Sequence, residues 1–337
     1  MSNLIKSVKI KNLFNEKDIN WELKKINVLV GKNGLGKSTI LRLINSAVTR
    51  KEVDDLELCK EIIVEMKNQE KYVSRKSNMI NFDTLKLVLE ELSRVDKSRP
   101  RKDKNSDNSY TQYKILNSKD LNKLSIDLFE RINKSATNYE VKASNKKINV
   151  KKDNLVIKPK DRMSVEFIST INMSANSVNN VIESNGNKTT FLDVEIDKEI
   201  ERLNKDHRNK NELQGKFINS LSKFLEETNK KVEFVDDQIE IILISGKRID
   251  YRNLSSGERQ LIFIFLKVIN GGVDNSLILM DEPEISLHLS WQEKLLTEIT
   301  SANSSSQMII VTHSPALVMD GWLDDFIDIK TITEEVR

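Results

Sequence analysis

The sequence predicts an α/β fold organised around a mostly parallel sheet, and three observations carry that expectation. The apolar run Ile26-Asn27-Val28-Leu29-Val30 leads directly into the glycine-rich stretch GKNGLGKST at 31–39, a pattern of strand, tight loop and helix. Two further apolar runs, Leu277–Met280 and Met308–Thr312, lack period-two alternation and so read as strands buried on both faces. Helical segments separate these runs, and such alternation makes parallel neighbours.

Composition sets the outer bounds. With 337 residues the chain can bury a sizeable core, as two domains or one lobed one. Its 54 basic and 51 acidic residues leave a net charge of +3, so no global field directs it to nucleic acid or to a membrane. The single cysteine, Cys59, excludes an internal disulfide and fits a reducing cytosol. The N-terminus lacks the apolar core of a signal peptide, and Leu261–Leu266, the longest apolar run, is too short to cross a bilayer. The expectation is a soluble, cytoplasmic protein with no membrane partner.

In chain order, residues 4–13 and 26–30 are expected as strands flanking a turn-rich segment, with a helix over 38–48. Alternation at Glu61–Met66 and Tyr72–Arg75 adds two strands. From Asp83 to Asn138 apolar residues such as Leu85, Val88, Leu92, Leu121, Leu124 and Phe129 take helical spacing. Between them lies KSRPRKDKNSDNS, where Lys97, Arg99, Arg101, Lys102 and Lys104 surround one proline and predict a flexible loop. A second lysine-rich stretch covers 142–162. Both stretches are either solvated surface or a contact for an anionic partner such as DNA or RNA.

Val165–Ser169 reads as a core strand. Ile196, Ile200, Leu203, Leu213, Phe217, Leu221 and Phe224 form a helical stripe, a long arm or a helical pair, packed on the body because no heptad repeat is sustained. From Val232 come strands VEFV, QIEIILIS and RIDY, then helix 254–269, strand 277–280, helix 290–299, strand 308–312 and a last strand over 326–330. The organisation expected is an N-terminal head segment (1–82), a helical and basic insertion (83–160), a return to the head (161–194), a helical arm (195–231) and a C-terminal head segment (232–337).

Four motifs carry chemistry. GKNGLGKST fits G-x-x-x-x-G-K-[ST], in which Gly31, Gly34 and Gly36 let backbone N–H groups close around phosphate oxygens. Lys37 reaches the outer phosphates, Ser38 can hold Mg²⁺, and the helix opening at Lys37 points its positive end at the same anion. LILMDEPE is a buried strand whose carboxylates emerge at its C-terminal end, where ligands of open α/β sheets lie. There Asp281 can bind Mg²⁺ through water, and Glu282 can polarise an attacking water. In NLSSGER, Ser255 and the backbone around Gly257 form either a helix cap or a second anion site. One triphosphate does not need two such sites, so the second is best explained as serving another subunit's nucleotide. His313, in IIVTHSP, follows an apolar strand with no ligand-bearing neighbour, which favours a γ-phosphate contact over a zinc site.

Taken in order, GKNGLGKST, LSSGE, LILMDEPE and VTHS resemble the ATP-binding-cassette ATPases. EPEISLHLSWQ, with His288 where transporters carry an aspartate loop, together with IKSVKIKNLF, resembles the branch of RecF, the SMC-like repair ATPases and the OLD family. The resemblance covers residues 4–50 and 250–320 closely. It implies an ABC-type P-loop ATPase head, with a mostly parallel sheet, an antiparallel lobe and a helical insertion. It also implies two heads sandwiching two ATP molecules with Mg²⁺. On that pattern Gly31, Asn33, Gly34, Gly36, Lys37, Ser38 and Thr39 belong to the phosphate loop. Ser255, Ser256, Gly257 and Glu258 are the signature, Asp281 is the Mg²⁺ acid, Glu282 the catalytic base and His313 the switch histidine. Ser256 replaces the first glycine of the transporter signature. The glutamine-loop residue is sought among Ser169–Asn172, and the adenine contact around Asn12–Asn15.

OLD-family proteins carry a Toprim nuclease after the switch histidine, and residues 314–337 are too few to form one. The expectation is a standalone, slow ATPase subunit that resembles the ATPases of Septu, PARIS and retron anti-phage systems. Its homodimer, or a higher oligomer, would control a separately encoded effector such as a nuclease or toxin. The alternative is a RecF-like DNA-binding maintenance ATPase that uses the basic stretches 97–104 and 142–162. A transporter subunit is disfavoured by the altered signature and by His288.

Overall fold

Alternation builds the first lobe. Strand β1 (Ile5–Leu13) buries Ile5, Val8, Ile10 and Leu13, and pairs antiparallel with β2 (Lys17–Glu22), which buries Ile19 and Trp21 where the sequence predicts turns. The five-residue β3 (Ile26–Val30) follows and runs into the glycine-rich loop, after which α1 (Lys37–Thr49) begins. Strands β4 (Glu61–Met66) and β5 (Lys71–Lys76) then extend the β1–β2 sheet. The structure, a computed structural model, describes residues 4–49, 54–69, 71–76, 139–143, 146–150, 154–157, 163–169, 180–182, 188–205, 209–272, 276–319 and 321–336.

The sequence predicts a helical, basic insertion over 83–160, and the described residues from 139 to 157 are instead β-strands. Strands β6 (Tyr139–Ala143), β7 (Lys146–Val150) and β8 (Asn154–Ile157) continue the same antiparallel sheet beyond β5. YEVKA and KKINV alternate polar and apolar residues, a period hidden by their lysine content. The predicted helices before Asn138 and the basic residues 97–104 lie outside the described residues. So do Lys151, Lys152, Lys158, Lys160 and Arg162 of the second basic stretch.

Strand β9 (Val165–Ser169) enters a second sheet, and a small hairpin of β10 (Asn180–Ile182) and β11 (Lys188–Thr190) leads to α2 (Phe191–Lys205) and α3 (Lys210–Leu225). The predicted stripe is buried, with Ile196, Phe217, Leu221 and Phe224 fully so, and the two helices form a pair packed on the body. A three-stranded antiparallel sheet of β12 (Lys230–Val235), β13 (Gln238–Leu243) and β14 (Arg248–Asp250) precedes α4 (Ser256–Asn270). The chain then alternates β15 (Leu277–Asp281), α5 (Leu289–Ala302), β16 (Gln307–Thr312) and the short α6 (Ala316–Met319). The last strands are β17 (Phe326–Asp328) and β18 (Thr333–Glu335), and β18 returns to pair with β2.

The second sheet is entirely parallel, in the order β17-β3-β16-β15-β9. Because β15 is buried at every position, its alternate residues serve two cores. Ile278 and Met280 face α2–α5, while Leu277 and Leu279 join α1 and the antiparallel sheet. Register then fixes what emerges where. Thr312 lies opposite Val30, and Asp281 lies opposite both Val311 and Ser169. The glycine-rich loop, the Asp281-Glu282 pair, His313 and Ser169 at the end of β9 therefore lie along one edge of the sheet, its C-terminal one.

Candidate functional site

The loop after β3 takes its shape from glycine. Gly34 and Gly36 have φ of +82° and +88°, in the left-handed region. A Cβ on Gly36 would also stand 2.6 Å from Phe14, whose ring closes over the loop. Lys37 is buried and donates to the carbonyls of Gly31 and Lys32 at 2.8 and 3.3 Å. Its Nζ lies 3.1 Å from both ring nitrogens of His313. Burial lowers the lysine's pKa, against the pull of Glu282, Asp281 and Glu284. The first turn of α1 directs its free N–H groups into the same loop, so backbone dipole and ammonium converge where a phosphate chain would lie.

Ser38 Oγ donates to Asp281 Oδ1 at 2.7 Å, joining the start of α1 to the end of β15. Burial holds the Asp281 carboxyl above its ordinary value, with the Ser38 hydrogen bond acting in opposition. A hydroxyl beside a buried carboxylate supplies hard oxygen donors, and these fit Mg²⁺ completed by phosphate oxygens and water. Among the described residues there is no group of three or more His, Cys, Asp or Glu that could hold a metal ion.

Glu282 has a φ of 52° and is 5% exposed. Its Oε1 lies 2.8 Å from His313 Nε2, and its Oε2 accepts the His313 backbone N–H at 3.2 Å. Burial first, and the neighbouring Glu284 second, push its carboxyl up to about 8. Glu284 is a residue to which the sequence assigns no role, although it stands in the quoted DEPE. It too is 5% exposed, and its Oε1 accepts from the Thr312 hydroxyl and from the N–H groups of His313 and Ser314, at 3.2 and 3.3 Å. The only sequence signal was two glutamates held on either side of Pro283. Gln292 is a second addition, accepting from Ser314 Oγ at 2.6 Å.

These residues enclose one cavity of about 840 Å³, lined by the loop residues Asn33, Gly34, Gly36, Lys37, Ser38 and Thr39, by Phe14, and by Glu282, Glu284 and His313. Phe14 falls within the 12–15 segment expected to meet a base, and Asn12, Phe14 and Asn15 all have positive φ. Ser169 sits at the same sheet edge, while residues 170–172 of the expected glutamine loop lie outside the described residues.

The residues expected to form the signature are elsewhere. Ser255, Ser256, Gly257 and Glu258 line a separate cavity of about 270 Å³, together with Thr228, Lys230 and His288. Ser255 caps α4 in a reciprocal box with Glu258, whose other oxygen takes Lys230 at 2.6 Å. Burial would raise the Glu258 carboxyl, but the bonds from Lys230 and Ser255 bring it below its ordinary value. Gly257 is required by close approach, since a Cβ there would stand 2.6 Å from the carbonyl oxygen of Ser286. Ser286 has a φ of 69° and lines both cavities.

Residues 4–318 match the model of a family described as an AAA ATPase domain. A protein described as "Retron Vc95 probable ATPase", from Vibrio cholerae serotype O1 biovar El Tor, is 26% identical over 136 residues, 34% of this chain and 26% of the relative. "Septu protein PtuA" of Bacillus thuringiensis is 32% identical over 100 residues, 26% of this chain and 25% of the relative. The matches thus span about a quarter of the length of these two curated relatives. Among solved structures, an SMC head bound to the C-terminal winged-helix domain of ScpA aligns with a TM-score of 0.50 at 12% identity, covering 99% of this chain and 97% of that one. The fold is that of an ABC-type ATPase head. No helix among the described residues is long and apolar enough to cross a membrane.

Proposed function

This chain belongs to the AAA ATPase domain family, and we propose that it works as a slow, dimeric ATPase whose nucleotide-dependent closure holds and releases a separately encoded effector in anti-phage defence. The observation that carries the dimer is the division of the site. The phosphate loop, Glu282 and His313 gather at one cavity, with Asp281 hydrogen-bonded to Ser38 of that loop, while Ser255 to Gly257 present a helix N-terminus at another. Two copies related by a two-fold axis would bring the signature of each onto the nucleotide of the other.

Within one protomer the roles follow from geometry. Lys37 and the N–H groups of the loop neutralise the β- and γ-phosphates, and Phe14 offers an aromatic face to the base. Mg²⁺ bound at Ser38 and Asp281 would offset the charge of the same phosphates. Glu282 takes the proton of the attacking water, and His313, 2.8 Å from it, steadies the carboxylate and faces the γ-phosphate. Ser255 and the N–H groups of the partner's signature would complete the oxyanion environment from the opposite side. Closure then depends on nucleotide, and hydrolysis resets it. The retron and Septu relatives support the defence setting.

The test is Glu282→Gln. Mg-ATP should still bind while turnover stops, and light scattering should report a mass of two protomers. A variant that remains a single protomer in saturating Mg-ATP would overturn the shared-site reading.

A further inference from the structure

We propose that Glu284 is a positioning residue for ATP hydrolysis: its carboxylate holds the 312–314 turn so that His313 meets Glu282. The proposal rests on the reading of Glu282 as the base.

The argument begins with a competition between two acids. The His313 N–H lies 3.2 Å from Glu282 Oε2 and 3.2 Å from Glu284 Oε1, so both carboxylates compete for one donor. Glu284 also receives the Ser314 N–H and the hydroxyl of Thr312, a residue with no exposed surface. Three donors on one buried carboxylate oxygen make a charge-assisted cap for the turn that follows β16. Glu282 meets the His313 ring, Glu284 itself and the cavity that holds Lys37. If Glu284 is lost, the His313 N–H falls to Glu282 Oε2, and the base is drawn into structural work.

The turn is anchored on both sides. Pro283 separates the two acids, and its carbonyl accepts from the buried Gln260 of the signature helix at 3.0 Å. Ser314 is held in turn by Gln292. Because Glu284 acts through the 312–314 turn and through Glu282 beside it, truncating it should lower kcat and leave nucleotide affinity nearly alone.

The experiment compares steady-state ATP turnover and nucleotide binding for the full chain and four variants. Glu284→Ala should lower kcat by about tenfold or more, with KM for ATP changed by less than about threefold. Glu284→Gln keeps an acceptor oxygen for the turn and should restore kcat to within about threefold of the parent. Thr312→Val removes one donor without removing the carboxylate, and should lower kcat severalfold; it decides the matter if Glu284→Ala does not fold. In a His313→Ala background, adding Glu284→Ala should cost less than it does alone, because part of its effect runs through His313. Parental kcat in Glu284→Ala, or in Thr312→Val, overturns the proposal. So do losses that multiply in the double variant. Native turnover by Glu282→Gln would instead reject the base assignment, which is a separate outcome.

Discussion

Two glycines lie within helices in opposite surroundings, and the same substitution at each should change stability in opposite directions. Gly257, in the first turn of α4, would place a new Cβ 2.6 Å from the Ser286 carbonyl oxygen and 3.6 Å from its carbonyl carbon. That neighbour is backbone in a residue with a φ of 69°, so it cannot rotate aside as a side chain would. Overpacking of this kind costs about 1–3 kcal/mol. Gly215, inside α3, has nothing within 4 Å of the same position. Alanine there should gain about 0.5–1 kcal/mol by restricting the unfolded chain and favouring helix. The two variants therefore differ by roughly 2–4 kcal/mol. Unfolding entropy of about 2.1 cal/mol/K per residue makes 1 kcal/mol equivalent to about 1.5 °C for 337 residues. Thermal melts run side by side should separate Gly257→Ala below Gly215→Ala by about 3–6 °C. Turnover should fall only in Gly257→Ala, because the displaced residue lines both cavities. Coincident melting curves would refute the close-approach argument.

Two further outcomes follow from the site. Lys37→Ala should abolish nucleotide binding and Ser255→Ala should preserve it, yet each alone should be nearly inactive; mixing them should restore about a quarter of native turnover, since half the dimers would carry one fully native site. A mixture no more active than its parts would reject sharing across the dimer. In the absence of nucleotide, the Glu282 carboxyl is held up to about 8 by burial and by Glu284, so the folded chain keeps a proton that the unfolded chain releases near 4.5. That preference stabilises the fold at low pH and is lost as pH rises through 8, at up to about 1.4 kcal/mol per pH unit. Glu282→Gln cannot ionise, so its melting temperature should gain on the parent's between about pH 6 and pH 8; a constant gap would refute this.

The buried parallel strands and the loop between β3 and α1 were legible because each announces itself locally. An apolar run without alternation can hardly sit anywhere but between two layers, and the glycine spacing at 31–36 has few other uses. The residues that failed to announce themselves depend on distant partners. Glu284 reads as one more acid in a turn until parallel register brings Thr312, His313 and Ser314 beside it. Gln292 looks like a solvated helix residue until Ser314 reaches it. Phe14 required a backbone in the left-handed region, which no side-chain pattern signals for an aromatic residue. Strands β6–β8 were obscured by the lysines expected to mark a basic insertion.

The segment between β15 and α5 is where these long-range effects meet. It leaves the sheet at Asp281, turns through Glu282 and Glu284, and seats Ser286 against Gly257 before α5 begins at Leu289. Its residues therefore touch the phosphate-loop cavity at one end and the signature cavity at the other. Movement of Glu282 or His313 cannot be absorbed by side chains alone, because the Pro283 carbonyl is tied to Gln260 of the signature helix and the Leu287 N–H to the Glu284 carbonyl. A nucleotide gripped at the first cavity would press on a short, strained turn whose other face supports the second. In a dimer with shared sites, that turn would connect the nucleotide a protomer holds to the one it helps to enclose.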